Sequence, residues 1–188
     1  MRKIVMLNRV SVDGFYAGPN GEIDWFIHDP EVDRAAHGNG ISDTLLLGRH
    51  TYQMFESYWP PIAADPTAPE GSRVLSRELN QMTKVVFSKT LSEVTWENSV
   101  LVKNDIVQAV RDLKVGPGEG IGIFGSGSVV QQLTAAGLID EFLIIVTPVI
   151  LGAGKPLFTN HHKINLKLLK TWDFNSGNVM LHYTLAGD

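Results

Sequence analysis

The sequence contains no cysteine. Disulfides, thiolate zinc sites and a cysteine nucleophile are therefore excluded, and a reducing compartment suits the chain. A basic excess is also missing: 16 Lys and Arg stand against 20 Asp and Glu, for a formal net charge of -4. Nucleic acid is not an expected partner, because phosphate-backbone binding needs a basic face. Long hydrophobic runs are absent too. The longest strongly apolar stretch, residues 142–151, falls far below the roughly 20 residues of a membrane span. The N-terminal apolar run stops at Asn8 and Arg9, short of the about 7–15 residues of a signal-peptide core. The expected setting is cytoplasmic, with no membrane partner.

Several chemical signatures are missing as well. There is no His-Glu-x-x-His pattern, and neither His50, His182 nor an exposed loop pair, His161-His162, offers ligand spacing, so no metal is expected. Gly154-Lys155-Pro156 lacks the leading glycine and trailing hydroxyl residue of a phosphate-binding P-loop. Ser126 and Ser128 do not form Gly-x-Ser-x-Gly, which argues against a hydrolase elbow.

What is present is a globular chain of 188 residues, 44% hydrophobic and 19% charged. That suits one domain with a substantial core. No repeat, low-complexity tract or linker divides it. Residues 4–10, 44–47, 84–87, 101–102 and 121–124 read as short strands, and 142–150 as a central strand covered on both faces. Helices are expected over 51–58 and 72–80, and after Asn104, read as an N-cap with Asp105 in the first turn. Ile106, Val110 and Leu113 then mark one helical face. Another helix follows Gly127, with Ser128 and Gln131 as a capping box and Gly137 at its end. Residues 13–24 read as a long loop, the four-proline stretch 60–69 as a surface loop, and 164–172 with 178–185 as a closing hairpin. The fold class is α/β, with a mixed, mostly parallel sheet flanked by helices and an antiparallel C-terminal hairpin.

Three strand ends carry groups suited to phosphate. In Phe124-Gly125-Ser126-Gly127-Ser128-Val129 a strand enters a glycine-rich turn and then a helix, whose free N–H groups suit a pyrophosphate. It is a poor Rossmann fingerprint, since Val130 holds the third glycine position and the turn comes late in the chain. In Gly48-Arg49-His50-Thr51 an arginine stands at a helix start, with a guanidinium fork that suits phosphate. In Ser88-Lys89-Thr90 a strand ends in two hydroxyls and one cation, as a ribose 2′-phosphate would require. Taken singly, each is equally a tight turn, a surface arginine or a solvated lysine. Taken together they converge, because open α/β sheets bind ligands beyond the carboxyl ends of their strands.

These segments, in order, resemble a known family. Val10-Ser11-Val12-Asp13-Gly14-Phe15 and Asp24-Trp25 are similar to the opening of the reductase domain of the bifunctional riboflavin-biosynthesis deaminase/reductase. The three strand ends follow in that family's order, then Leu138-Ile139-Asp140-Glu141 and residues 147–158. The resemblance spans nearly the whole chain and implies a single-domain dihydrofolate-reductase-like fold over residues 1–188, with an eight-stranded sheet. It implies NADPH as cofactor, a small-molecule substrate and a homodimer. By similarity, Gly48, Arg49 and Thr51 meet cofactor phosphates, and Ser88, Lys89 and Thr90 flank the 2′-phosphate. Gly125, Ser126, Gly127, Ser128 and Val129 cover the pyrophosphate, and Ser11 lies near the nicotinamide. Lys155 resembles the family's phosphate-contacting lysine.

Deaminase zinc signatures are absent, so the deamination step is not expected of this chain. Dihydrofolate reductases place a pterin-binding acid on the helix after the tryptophan; Asp29 is not securely aligned with it. The expected chemistry is hydride transfer to a small heterocyclic or C=N/C=O substrate, in the manner of 5-amino-6-(5-phosphoribosylamino)uracil reductase. Asp13 is the first choice for a polar group facing the substrate and Asp24 the second, with Trp25 as a pocket wall. Asp13 is equally a turn residue before Gly14, and Trp25 equally a core residue. The alternatives are dihydrofolate reductase activity, or a nucleotide-binding protein of the same fold without efficient turnover.

Overall fold

The computed structural model describes residues 1–38, 42–159 and 162–187. Its centre is an eight-stranded sheet ordered β5-β4-β3-β6-β1-β7-β10-β9. The strands are β1 (Ile4–Ser11), β3 (Thr44–Gly48), β4 (Thr83–Phe87), β5 (Ser99–Val102), β6 (Ile121–Phe124), β7 (Glu141–Thr147), β9 (Leu166–Asp173) and β10 (Val179–Leu185). Neighbours from β5 to β7 pair in parallel, and β10 runs antiparallel to both β7 and β9. This is the expected α/β fold, dihydrofolate-reductase-like, with the closing hairpin in place. The 13–24 loop contains a short strand not expected from sequence, β2 (Phe15–Ala17), which pairs with β8 (Lys155–Pro156).

The two-residue period of the strands sorts their side chains between two faces. On one face Ile4, Met6, Leu46, Ile123 and Phe142 pack against helices α4 (Ile106–Val115) and α5 (Gly127–Ala135). On the other, Leu45, Leu47 and Val86 pack under α2 (Arg49–Ile62) and α3 (Glu70–Gln81). Leu143, Ile145 and Met180, also on that face, pack under α1 (Pro30–His37). Helix α1 therefore sits over β7 and β10, and α2 with α3 sits over β3 and β4. Leu7 of β1 and Phe124 of β6, adjacent in register, lie between these two covers and floor a cleft.

Four local expectations change. Helix α1 was not anticipated, although Asp29 caps it by accepting the Glu31 N–H at 2.8 Å and Pro30 follows at its first turn. Helix α2 runs through Pro60 and Pro61, so the expected loop begins later. Each proline forfeits one helical N–H bond, but both stand in the last turn, so the helix need not continue past them, and the Ser76 hydroxyl donates to the Trp59 carbonyl, one of the unpaired terminal carbonyls, at 2.6 Å. The cap of α4 is Asp105, which accepts from Val107 and Gln108 N–H, rather than Asn104. Ser128 and Gln131 form no capping box, because α5 starts from Ser126 in the left-handed region at φ 52. His162 is exposed and His161 lies outside the described residues. Among the described residues no group of metal-ligating side chains occurs, and no helix is long and apolar enough to cross a membrane.

Candidate active site

The cleft has a volume of about 1020 Å³ and runs between α1 on one wall and α2–α3 on the other. That lies at the upper limit of the roughly 300–1,000 Å³ usual for ligand pockets. One end opens at the carboxyl ends of β1, β3 and β6. The turn after β6 is built for close approach. Gly125 and Ser126 are consecutive left-handed residues, at φ 58 and φ 52. For the serine that conformation costs on the order of 1–2 kcal/mol. Its neighbours hold it there. The Ser126 hydroxyl accepts the Gly48 N–H at 3.0 Å, and the Ser126 N–H donates to Thr51 Oγ1 at 3.1 Å. Asn8 donates its side-chain amide to the Gly125 carbonyl at 2.9 Å. Thus β1, β3 and β6 are locked together at the cleft mouth by one small network.

Two helices begin at this mouth, α2 after Gly48 and α5 after Ser126, and neither N-terminus has a side-chain cap. By contrast α1 and α4 are capped by aspartates. Uncapped N–H groups with the positive end of the helix dipole suit an anion. Arg49 stands beside them and donates to Thr90 Oγ1 at 2.7 Å. The parallel pairing of β3 with β4 brings these two groups together, as the strand-end argument anticipates. The Ser88 hydroxyl accepts the Thr90 and Leu91 N–H groups at 3.2 and 3.0 Å and shapes that turn, while Lys89 is exposed beside it. Gly48, Arg49, Thr51 and residues 125–128 line the cleft, and Val129 is buried just behind them. Lys155 lines it from the β2–β8 side.

Other expected residues lie elsewhere. Asp13 does not line the cleft. Its carboxylate accepts the Leu151 N–H at 3.1 Å and the Gly152 N–H at 2.8 Å, tying down the loop after β7. Bonding to Ser11, then to the Gly152 and Leu151 N–H groups, holds its carboxyl below the usual range. At neutral pH it is an ionised tie on that loop. Ser11 is buried and accepts the Phe15 N–H at 3.0 Å, closing the turn. Asp24 is exposed, and Trp25 donates its indole N–H to the Glu22 carbonyl at 3.1 Å; neither lines the cleft. Their neighbours Ile23 and Phe26 do so instead. Asp29 is the cap of α1 and is further bound by the Ser176 hydroxyl at 2.5 Å.

Several cleft residues escaped the sequence reading. Asp33, one turn into α1, faces the cleft and accepts from Arg9 at 2.9 Å. Asn8 was read only as the end of an apolar run. Tyr16 lies over Gly127, and burial raises its hydroxyl pKa, so it stays neutral. An Arg9 within a strand and an acid four residues after a helix cap were the available signals, once α1 is recognised.

Residues 2–180 match the family model described as the RibD C-terminal domain. Among curated proteins, the chain is 36% identical over 187 residues to the uncharacterized protein YyaP of Bacillus subtilis, covering 99% of this chain and 96% of that protein. It is 31% identical over 194 residues to YwjB of the same organism, covering 98% and 99%. Among solved structures, a putative riboflavin biosynthesis protein from Shewanella sp. PV-4 superposes with TM-score 0.72 at 24% identity, over all of both chains. A pyrimidine reductase-like protein from Corynebacterium diphtheriae gives TM-score 0.71 at 16% identity, over 100% of this chain and 93% of that one. At these identities the structural likeness establishes the fold.

Proposed function

The chain belongs to the RibD C-terminal domain family, and from that premise we propose that it is an NADPH-dependent reductase of a small heterocyclic C=N or C=O substrate. One observation carries the reading. Two uncapped helix N-termini and Arg49 converge at one end of an otherwise largely apolar cleft. A dinucleotide has this shape: charged phosphates at one end, a flat reactive ring running inward. The 125–127 turn, with its backbone at Gly125 free of a side chain, would lie along a pyrophosphate, Arg49 and Thr51 stand at its side, and Lys89 with Thr90 lies within reach of a 2′-phosphate. When bound, the cofactor supplies hydride to the substrate carbon.

The protein's own work is alignment and exclusion of water. Leu7, Phe124 and Ile145 provide an apolar floor on which two flat rings can stack. Asn8 and Thr51 fix the 125–126 turn and hence the position of the bound dinucleotide. The Tyr16 hydroxyl, neutral and at the mouth, is placed to donate a hydrogen bond to a bound ring or ordered water.

The test uses NADPH deuterated at the nicotinamide C4 position, with a panel of cyclic imines, pyrimidines and dihydrofolate. The reading expects one deuterium on the product carbon per NADPH consumed. Tight NADPH binding with no substrate reduced would instead favour a nucleotide-binding protein without turnover.

A further inference from the structure

Resting on the reductase reading, we propose that the substrate carries no phosphate and is a small aromatic or similarly apolar molecule whose C=N group is neutral or protonated. The cleft is divided chemically along its length. Phosphate-compatible groups lie at the strand-end mouth, where a dinucleotide takes them. The remainder is walled by Phe26 on one side and by Met54, Phe55, Trp59 and Met82 on the other. Met54 is 43% exposed and Ile23 36%, so large apolar side chains stand open to the cleft. A flat apolar guest covers them.

The charges of that inner region point the same way. The Arg9 guanidinium and the His37 ring, which line it, each meet a carboxylate. Arg9 donates to Asp33 at 2.9 Å, and its guanidinium lies 5.8 Å from the Phe26 ring centroid. His37 of α1 meets Glu78 of α3 at 2.5 Å, and both line the cleft. Lys155, nearer the mouth, has no carboxylate within ion-pair distance among the described residues, and its charge reaches Glu22 only at longer range. That carboxyl is held below the usual range by its own N–H and by Asn20, with the Lys155 charge adding to the effect. Asp43, also lining the cleft, is paired with Arg2. Among the described residues the inner region thus holds three carboxylates, Asp33, Asp43 and Glu78, paired with Arg9, Arg2 and His37 respectively, while Lys155 toward the mouth is a cation without an ion pair. A phosphate there would give up its hydration and gain neither a guanidinium fork nor a free helix N-terminus. An iminium ion whose ring lies against the apolar walls would share one of these carboxylates with the cation it already holds. Its carbon accepts hydride from the reduced nicotinamide, forming a C–H bond. The C=N π pair moves to nitrogen, which keeps its proton, and the products are the amine and the oxidised cofactor.

The experiment is calorimetric titration of the protein saturated with NADP+, which cannot react. The probes are a pyrimidine riboside, the same riboside with its 5′-phosphate, and 3,4-dihydroisoquinoline. The cyclic imine is expected to bind most tightly, and adding the phosphate to the riboside to gain less than twofold. A phosphate that tightens binding tenfold or more overturns the proposal, as does absence of imine binding at millimolar concentration. Met54→Lys, on an open side chain, is expected to weaken the imine at least tenfold and leave NADP+ affinity unchanged; an unchanged imine affinity overturns the placement. Failure of NADP+ and NADPH to bind is seen before any probe is added, and overturns the reductase reading together with the inference built on it.

Discussion

Gly127 is the point where the cofactor turn and the β2 segment press on each other. A Cβ at this position would lie 2.3 Å from Tyr16 Cε1 and Cζ and 2.7 Å from its hydroxyl. The backbone is not the obstacle, since Gly127 is not among the positive-φ glycines. As the first residue of α5, an alanine there would favour the helix by at most about 1 kcal/mol. The penalty therefore comes from the Tyr16 ring, and overpacking of this kind costs about 1–3 kcal/mol. Gly127→Ala alone is expected to destabilise the fold by up to about 2 kcal/mol, the overpacking cost less the helical gain. In a Tyr16→Ala background the same change becomes neutral or slightly stabilising, giving a coupling of about 1–3 kcal/mol. Urea unfolding of the wild type, both single variants and the double variant measures it. An equal cost for Gly127→Ala in both backgrounds would refute the argument that Tyr16 is what requires glycine.

Other consequences are open to direct measurement. Arg49→Ala removes a charge-assisted contact worth about 1.5–3 kcal/mol, and should weaken NADPH roughly 10- to 100-fold in a binding titration. Lys89→Ala should weaken NADPH more than NADH, and equal losses would refute its 2′-phosphate role. Asp13, with its carboxyl held low, contributes stability that is full above the ordinary carboxylate pKa and is lost as pH falls through its lowered native value. Asp13→Asn should flatten the acid limb of the unfolding curve and spare neutral-pH turnover; a folded but inactive variant would return Asp13 to the chemistry. Lys84 is fully buried, caps α3 through the Leu79 and Asn80 carbonyls at 2.8 and 3.0 Å, and lies 4.4 Å from the Trp96 ring centroid. Burial nevertheless pushes its ammonium down to about 8. The unfolded chain then binds more protons between about pH 8 and 10.5, so the native state gains stability as pH rises through that window. Lys84→Met should abolish that gain, read as the pH dependence of the urea midpoint.

The parallel strands were legible because each is a short apolar run stopped by glycine or a hydroxyl residue, as in residues 44–48 and 84–88. The residues that meet at the cleft mouth were legible for the same reason: Gly48, Arg49, Thr51 and 125–128 sit at strand ends, and the sheet brings them together. What escaped were features set by distant partners. Strand β2 exists because β8, far along the chain, pairs with it, and nothing within residues 15–17 encodes that. Asp13 has the composition of a turn and of a catalytic acid alike, and only the Leu151 and Gly152 N–H groups decide between them. Helix α1 was a local miss. Asp29-Pro30-Glu31 is a helix start written in the local sequence, and this helix is what turns Asp33 toward the cleft.

The central claim is that the cleft mouth holds a 2′-phosphorylated nicotinamide dinucleotide. Fluorescence titration of the purified protein with NADPH and, separately, with NADH tests it most directly. The account predicts saturable binding of NADPH with clear preference over NADH. A folded protein that binds neither, or binds both equally, would contradict it.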